Sequence, residues 1–280
     1  MSGKGRPDDP MAGIHWDLGS SISYGQYLQL DKILSAQKPL SGQHDEMLFI
    51  VIHQASELWM KLCLHELAAI RAQVKADDLE PAFKMFARVA RAQAQLIQSW
   101  DVLGTMTPAD YTRFRDSLGQ SSGFQSWQYR QLEFLLGNKD ARLVEVHAGD
   151  KAAHALLRRE LATPSLYDES LRLLKRRGFD IPPASLERDW TGPYEAHPAV
   201  EAAWLRVYRD STAHWDLYEL AEKLVDLEYR FQQWRFAHLK TVERIIGHKR
   251  GTGGSSGVGY LAHVLNRGFF PELISLRTSI

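Results

Sequence analysis

The residue types best suited to chemistry in this chain are two histidines set in long stretches free of glycine and proline. His53 stands one helical turn after Phe49, between Asp45 and about Val74, so an imidazole and an aromatic ring share a helix face. Such a histidine is either a core residue satisfied by a backbone partner or a group turned toward a ligand. His238 interrupts an apolar stripe made by Phe231, Trp234, Val242 and Ile245. A buried imidazole costs free energy unless its nitrogens are partnered. Haem iron is one partner compatible with aromatic walls, and a core hydrogen bond is the other. Nothing in the spacing says whether the two histidines meet.

A third group could hold an amino acid. Thr107-Pro108-Ala109-Asp110 reads as a helix start, with a capping threonine, proline at the first helical position and an acid three residues after the cap. Tyr111, Arg115, Leu118 and Ser122 then fall at i, i+4, i+7 and i+11, which lines hydroxyl, guanidinium, apolar and hydroxyl groups along one face. Arg115 could grip a carboxylate through two parallel hydrogen bonds, Tyr111 could add a donor, and Leu118 offers an apolar wall. The alternative is a solvated arginine beside a half-buried tyrosine. Five glycines between Gly251 and Gly259 surround Thr252, so this loop either approaches a ligand closely or is a plain linker.

Several familiar signatures fail. Gly119-Gln120-Ser121-Ser122-Gly123 matches G-x-S-x-G, but helix precedes it where a nucleophile elbow needs a strand. His65-Glu66 opens like a zinc-protease motif, yet Ala69 stands at the second histidine's place. No E-x-x-H occurs, against a di-iron bundle, and the glycine-rich segment lacks the Gly-Lys-Ser/Thr ending of a nucleotide loop.

The elements that must position these residues read as helices. Tyr24, Tyr27, Leu28 and Leu34 recur at helical spacing in a short amphipathic helix. Met47, Val51, Leu58 and Leu62 mark one face of the 45 to 74 helix, and another helix runs from Pro81 to Leu103. Residues 199 to 246 lack Gly and Pro; a straight helix of that length would span ~72 Å, against ~50 Å for the whole domain. That segment must break, bend, or reach a neighbouring subunit. Residues 138 to 198 read as short helices and loops. Alternating strand patterns are scarce, so the fold class is all-α, a bundle-like domain over 21 to 280 preceded by a mobile segment 1 to 20.

Composition narrows the partners. Lys plus Arg and Asp plus Glu are each 34, so no net field draws the chain to nucleic acid or an anionic membrane. The single cysteine, Cys63, excludes an internal disulfide, a thiolate cage and C-x-x-C-H haem attachment. No uncharged run approaches membrane-crossing length and no secretory stretch opens the sequence, so the expectation is a soluble protein of a reducing cytoplasm.

Four segments carry a likeness to a known family. HDEMLFIVIHQASELWMKL from His44 to Leu62, YGQYLQLDKILSAQ from Tyr24 to Gln37, SGFQSWQYRQLEFLLG from Ser122 to Gly137 and GTGGSSG from Gly251 to Gly257 together resemble tryptophan 2,3-dioxygenases. The resemblance covers most of residues 20 to 275, in order, and is poor from Asn138 to Pro198. It implies cleavage of the indole 2,3 bond of L-tryptophan by O2 to give N-formyl-L-kynurenine. It implies one non-covalent haem b with His238 as the iron ligand, His53 opposite it near the indole nitrogen, and Ser122 beside the cofactor. Arg115, Tyr111 and Thr252 would hold the substrate's carboxylate and ammonium, with Phe49 and Leu118 lining the indole pocket. Tyr24, Tyr27 and Leu28 would reach in from a neighbouring subunit of a homotetramer, a dimer of dimers.

Overall fold

The computed structural model describes residues 10, 11, 13 to 16, 19 and 21 to 280. The rest of the lead-in segment 1 to 20 lies outside the described residues. By internal contacts the chain divides into two compact units, Met1–Leu40 and Ser41–Ile280.

In the first unit the expected helix is two short ones, α1 (Tyr24–Leu28) and α2 (Leu30–Leu34). Ser23 and Gln26 close a reciprocal capping box at the start of α1. Gln29 then turns into the left-handed region at φ 53°, its N–H bonded to the Gln26 and Gly25 carbonyls, and this ends the first helix before α2 begins. Neither helix buries a residue, and Tyr24, Tyr27 and Leu34 are more than two-thirds exposed, at 76%, 74% and 71%.

The second unit is built on α3 (Asp45–Ala76) and α4 (Leu79–Leu103), joined by a two-residue turn in which Asp77 takes φ 63°. Leu67, Ile70 and Val74 of α3, at i, i+3 and i+7, meet Ala82, Phe86 and Val89 of α4, at i, i+4 and i+7, the spacings of two facing stripes. Glu66 on α3 is paired with Arg88 on α4 at 2.8 Å. By length and composition α3 is apolar enough to cross a membrane; little of that apolar stretch is buried, whereas Leu67, Ile70 and Val74 in its C-terminal half are core.

After α5 (Pro108–Arg115) and α6 (Trp127–Leu136) come α7 (Arg142–Glu145), α8 (Lys151–Leu161), α9 (Leu166–Arg176) and α10 (Pro183–Leu186). These are the short helices expected between 138 and 198. Yet α9 is a core element: Leu166, Tyr167, Leu171, Leu173 and Leu174 are all buried, packed against α3. The overlong segment breaks into α11 (Pro198–Arg209) and α12 (Trp215–Ile246). With 32 residues α12 spans about 48 Å, which fits the domain. It lies along α4, and α13 (Val258–Leu265) and α14 (Pro271–Ser275) close the chain over it. Among the described residues there is no strand, so the class is all-α.

Candidate active site

The N-terminal half of α3 carries the first histidine. His53 Nδ1 lies 2.7 Å from the Phe49 carbonyl. A carbonyl only accepts, so Nδ1 holds the proton and Nε2 is left as the unprotonated nitrogen. The Phe49 and His53 rings stand 4.1 Å apart, as their spacing predicts. Burial lowers the His53 pKa below 6.5, more than the Phe49 hydrogen bond and the Glu57 charge raise it, so the ring is neutral at pH 7.

The second histidine is three-quarters of the way along α12. His238 stacks on Trp100 of α4, centroids 4.4 Å apart and planes 8° apart, with Trp234 at 5.6 Å on the same helix. Burial drives its pKa down to about 3, and the charge of His53 pushes in the same direction. The two imidazoles, distant in sequence, flank one small apolar cluster, on which both Phe49, beside His53, and Trp100, beside His238, are packed. Neither nitrogen of His238 is hydrogen-bonded among the described residues.

The wall between α3 and α12 is a small apolar cluster separate from the main core. Tyr111 and Phe114 of α5 pack with Leu103, Met106 and Ile245, against Phe49, Ile52 and Leu118. Phe49 lies 6.0 Å from Tyr111 and 5.6 Å from Phe114, ring to ring. The capping box at Thr107 and Asp110 forms as the sequence predicts and sets the start of α5.

The helical face proposed from Tyr111 to Ser122 needs correction. α5 ends at Arg115, a single 3-10 turn carries Leu118, and Gly119 reverses the chain at φ 56°. Ser122 is not on the helix: its hydroxyl caps the next turn by accepting from Phe124 N–H. It nevertheless returns to the same place, because the glycine loop docks there. Arg115 Nη2 donates to the Arg250 carbonyl at 2.5 Å, and Thr252 donates its hydroxyl to the Ser121 carbonyl. A Cβ on Gly253 would lie 2.7 Å from the Ser122 Cβ, so only glycine permits this approach. Arg115 also approaches the Tyr111 hydroxyl, and its Nε is buried without a partner.

Tyr111, Arg115, Leu118, Ser122 and Thr252 are thus gathered beside Phe49 and His53, around a guanidinium with an unspent donor. Such a group fits a carboxylate. A sequence profile of the tryptophan 2,3-dioxygenase family matches residues 11–160 and 160–280.

The chain belongs to the tryptophan 2,3-dioxygenase family. A tryptophan 2,3-dioxygenase of Erythrobacter litoralis is 62% identical over 263 residues, 94% of this chain and 100% of the relative. One from Bacillus thuringiensis subsp. konkukian is 59% identical over 268 residues, 96% of both. Another, from Cupriavidus necator, is 59% identical over 268 residues, 96% of this chain and 91% of that protein. The likeness takes in the stretch from Asn138 to Pro198 that resembled the family poorly by motif.

Within this family member, Tyr24, Tyr27 and Leu28 lie on α1 of the first unit, the two tyrosines exposed. Sequence reasoning passed over Trp100, Phe114 and Met106. Each sits on an expected helix or just beyond one, but no spacing links Trp100 to His238, which comes from a different helix far along the chain.

Proposed function

We propose that this chain is a haem-dependent dioxygenase that converts L-tryptophan and O2 into N-formyl-L-kynurenine. The indole 2,3 bond is broken, and each of the two carbons receives one oxygen atom, as the formyl and ketone oxygens. The observation that carries this reading is the match to the family over almost the whole chain, 62% identical in one relative. The geometry supports it through two imidazoles flanking one apolar cluster, with the Arg115 guanidinium beside it.

The residues fit haem b. His238 offers an imidazole with no hydrogen-bond partner among the described residues, between Trp100 and Trp234, and such a nitrogen is a ligand for iron. When bound, the haem supplies the activation of O2, which no side chain here provides. The protein's own part is to bind and orient. Arg115 grips the substrate carboxylate, using the donor that is free, with the Tyr111 hydroxyl beside it. Thr252 meets the ammonium end, Ser122 stands at the cofactor edge, and Phe49 with Leu118 walls the indole. His53 presents its unprotonated Nε2 as acceptor for the indole N–H. The loop from 250 to 257 is docked beside the carboxylate end by the Arg115–Arg250 and Thr252–Ser121 hydrogen bonds.

The same reading makes the protein a cytoplasmic homotetramer, a dimer of dimers, in which Tyr24, Tyr27 and Leu28 complete a neighbour's indole pocket. In support, large apolar side chains stand uncovered on α3, at Met47, Val51 and Leu58, and on α12, at Tyr229 and Phe236.

The deciding experiment supplies haem, reduces the protein, adds L-tryptophan in aerated buffer, and follows the near-ultraviolet absorbance of N-formylkynurenine with the haem spectrum. Product with a haem spectrum is the expected result. Haem without product sinks the substrate assignment, and failure to take up haem sinks the reading entirely.

A further inference from the structure

The most closely aligned contact of His238 is with Trp100. Its indole, in the last turn of α4, lies 4.4 Å from the imidazole at 8° between planes, whereas Trp234 meets the same ring tilted, at 46°. A ligand histidine ordinarily has its second ring nitrogen fixed by a carboxylate or carbonyl, which sets the plane of the ring. Among the described residues His238 has no such acceptor. The terminal torsion of a histidine is broad, so without a tether the ring would swing. A flat indole face stands in the tether's place.

Trp100 is built to be stationary. Trp234 is 5.8 Å from it, and the cluster of Leu103, Met106 and Ile245 packs on it. Its own N–H is buried with no partner, so packing and not a hydrogen bond holds it. Trp234 N–H and Gln93 Oε1 are unpartnered too, but those two residues share a cavity of about 20 Å³ with Met60, Leu96, Tyr129 and Phe231. That volume is sufficient for one water. Trp100 does not line that cavity, and what it faces is the imidazole.

We infer that Trp100 is a positioning residue for the iron ligand: its indole face fixes the plane of the His238 imidazole and thereby the strength of the iron–nitrogen bond. This rests on the assignment of His238 as ligand made above. It acts through His238 and touches no reacting atom.

The test compares the haem-loaded parent with Trp100→Phe, which keeps a flat ring, and Trp100→Leu, which does not. The readouts are the low-frequency iron–imidazole vibration of the ferrous protein, the reduction potential, and the rate of haem loss to a scavenging apoprotein. Trp100→Leu is expected to shift and broaden the vibration, move the potential, and release haem between about twofold and tenfold faster, the span that aromatic pairing supports. Trp100→Phe is expected to stay with the parent. If Trp100→Leu loses helix content by circular dichroism, Trp100→Met, longer and more adaptable in packing, takes its place. A leucine or methionine variant with the parent's vibration and potential overturns the inference, and so does a phenylalanine variant displaced as far as leucine. A parent without any histidine–iron vibration instead overturns the ligand assignment, so the two failures are distinguishable.

Discussion

Arg115 is the residue on which the carboxylate reading turns. One of its terminal nitrogens holds the Arg250 carbonyl while its Nε stays buried and unpaired, so the side chain joins loop docking to anion capture. A charge-assisted hydrogen bond is worth about 1.5 to 3 kcal/mol, so Arg115→Met is expected to lower kcat/KM by at least roughly tenfold. Arg115→Lys restores the charge without the planar fork and should recover little of it. Unchanged efficiency in Arg115→Met removes the assignment. For His53, burial keeps the ring neutral to a pH below 6.5, so kcat/KM should hold as pH falls through 6.5 and decline only when the lowered pKa is reached. His53→Ala should cost roughly tenfold in kcat/KM, about one hydrogen bond. Full activity in that variant would show that neither proton transfer nor the indole contact depends on it.

At the level of elements, the joints decide where the helices stand. The end of α3 is tied to the end of α9 and the start of α12 by Arg177, which bonds Asp77 at 2.6 Å and Asp216 at 3.1 Å. The guanidinium holds the Asp77 carboxyl below its ordinary 3.8, so as acid is added the unfolded chain takes up the proton first. The pair's contribution is therefore complete above the unfolded value and is lost as pH falls through the folded one. Both partners are partly exposed, so Asp77→Asn is expected to cost less than about 1 kcal/mol at pH 7. In urea titrations the gap between parent and variant should narrow steadily as pH falls below 3.8; a gap that does not change with pH would assign the effect to the left-handed backbone at Asp77 instead. Capping at Thr107 was legible from sequence because donor and acceptor sit within three residues. The break at Gln29 was not, since Tyr24 to Leu34 fits one helix as well as two.

Across the whole molecule, one buried carboxylate ties α6 to α12, the helix that carries His238. Glu133 of α6 pairs with Arg130 on its own helix and with Arg235 of α12 at 2.9 Å, all three nearly inaccessible to solvent. Arg235 lies one turn before His238, so this pair fixes the height of α12 against α6. Removing one partner of a buried ion pair strands the other charges, and Glu133→Gln is expected to lower stability by about 3 to 5 kcal/mol in denaturant unfolding. A loss under about 1 kcal/mol would mean that water reaches the two arginines. On the outside, the uncovered Met47, Val51 and Leu58 make the assembly testable. Light scattering should give about four times the 31.9 kDa of one chain, and Val51→Asp with Leu58→Asp should yield smaller species with weakened activity. A monomeric parent with full activity would remove the tetramer and the borrowed tyrosines together.

The amino-acid sequence by itself determined the long helices, the cap at Thr107, and the pairing of His53 with Phe49, because all of these are interactions within about one turn. It also carried the family, through motifs long enough to stand alone. Only the tertiary structure decided that His53 and His238 flank one apolar cluster, that Trp100 lies flat on the His238 imidazole, and that Ser122 reaches the loop from a reversed chain. It alone showed α9 to be a core element, and it joined Arg115 to a carbonyl 135 residues away. Such contacts are selected by how whole helices pack, and periodicity along one helix holds no record of which face of another it will meet.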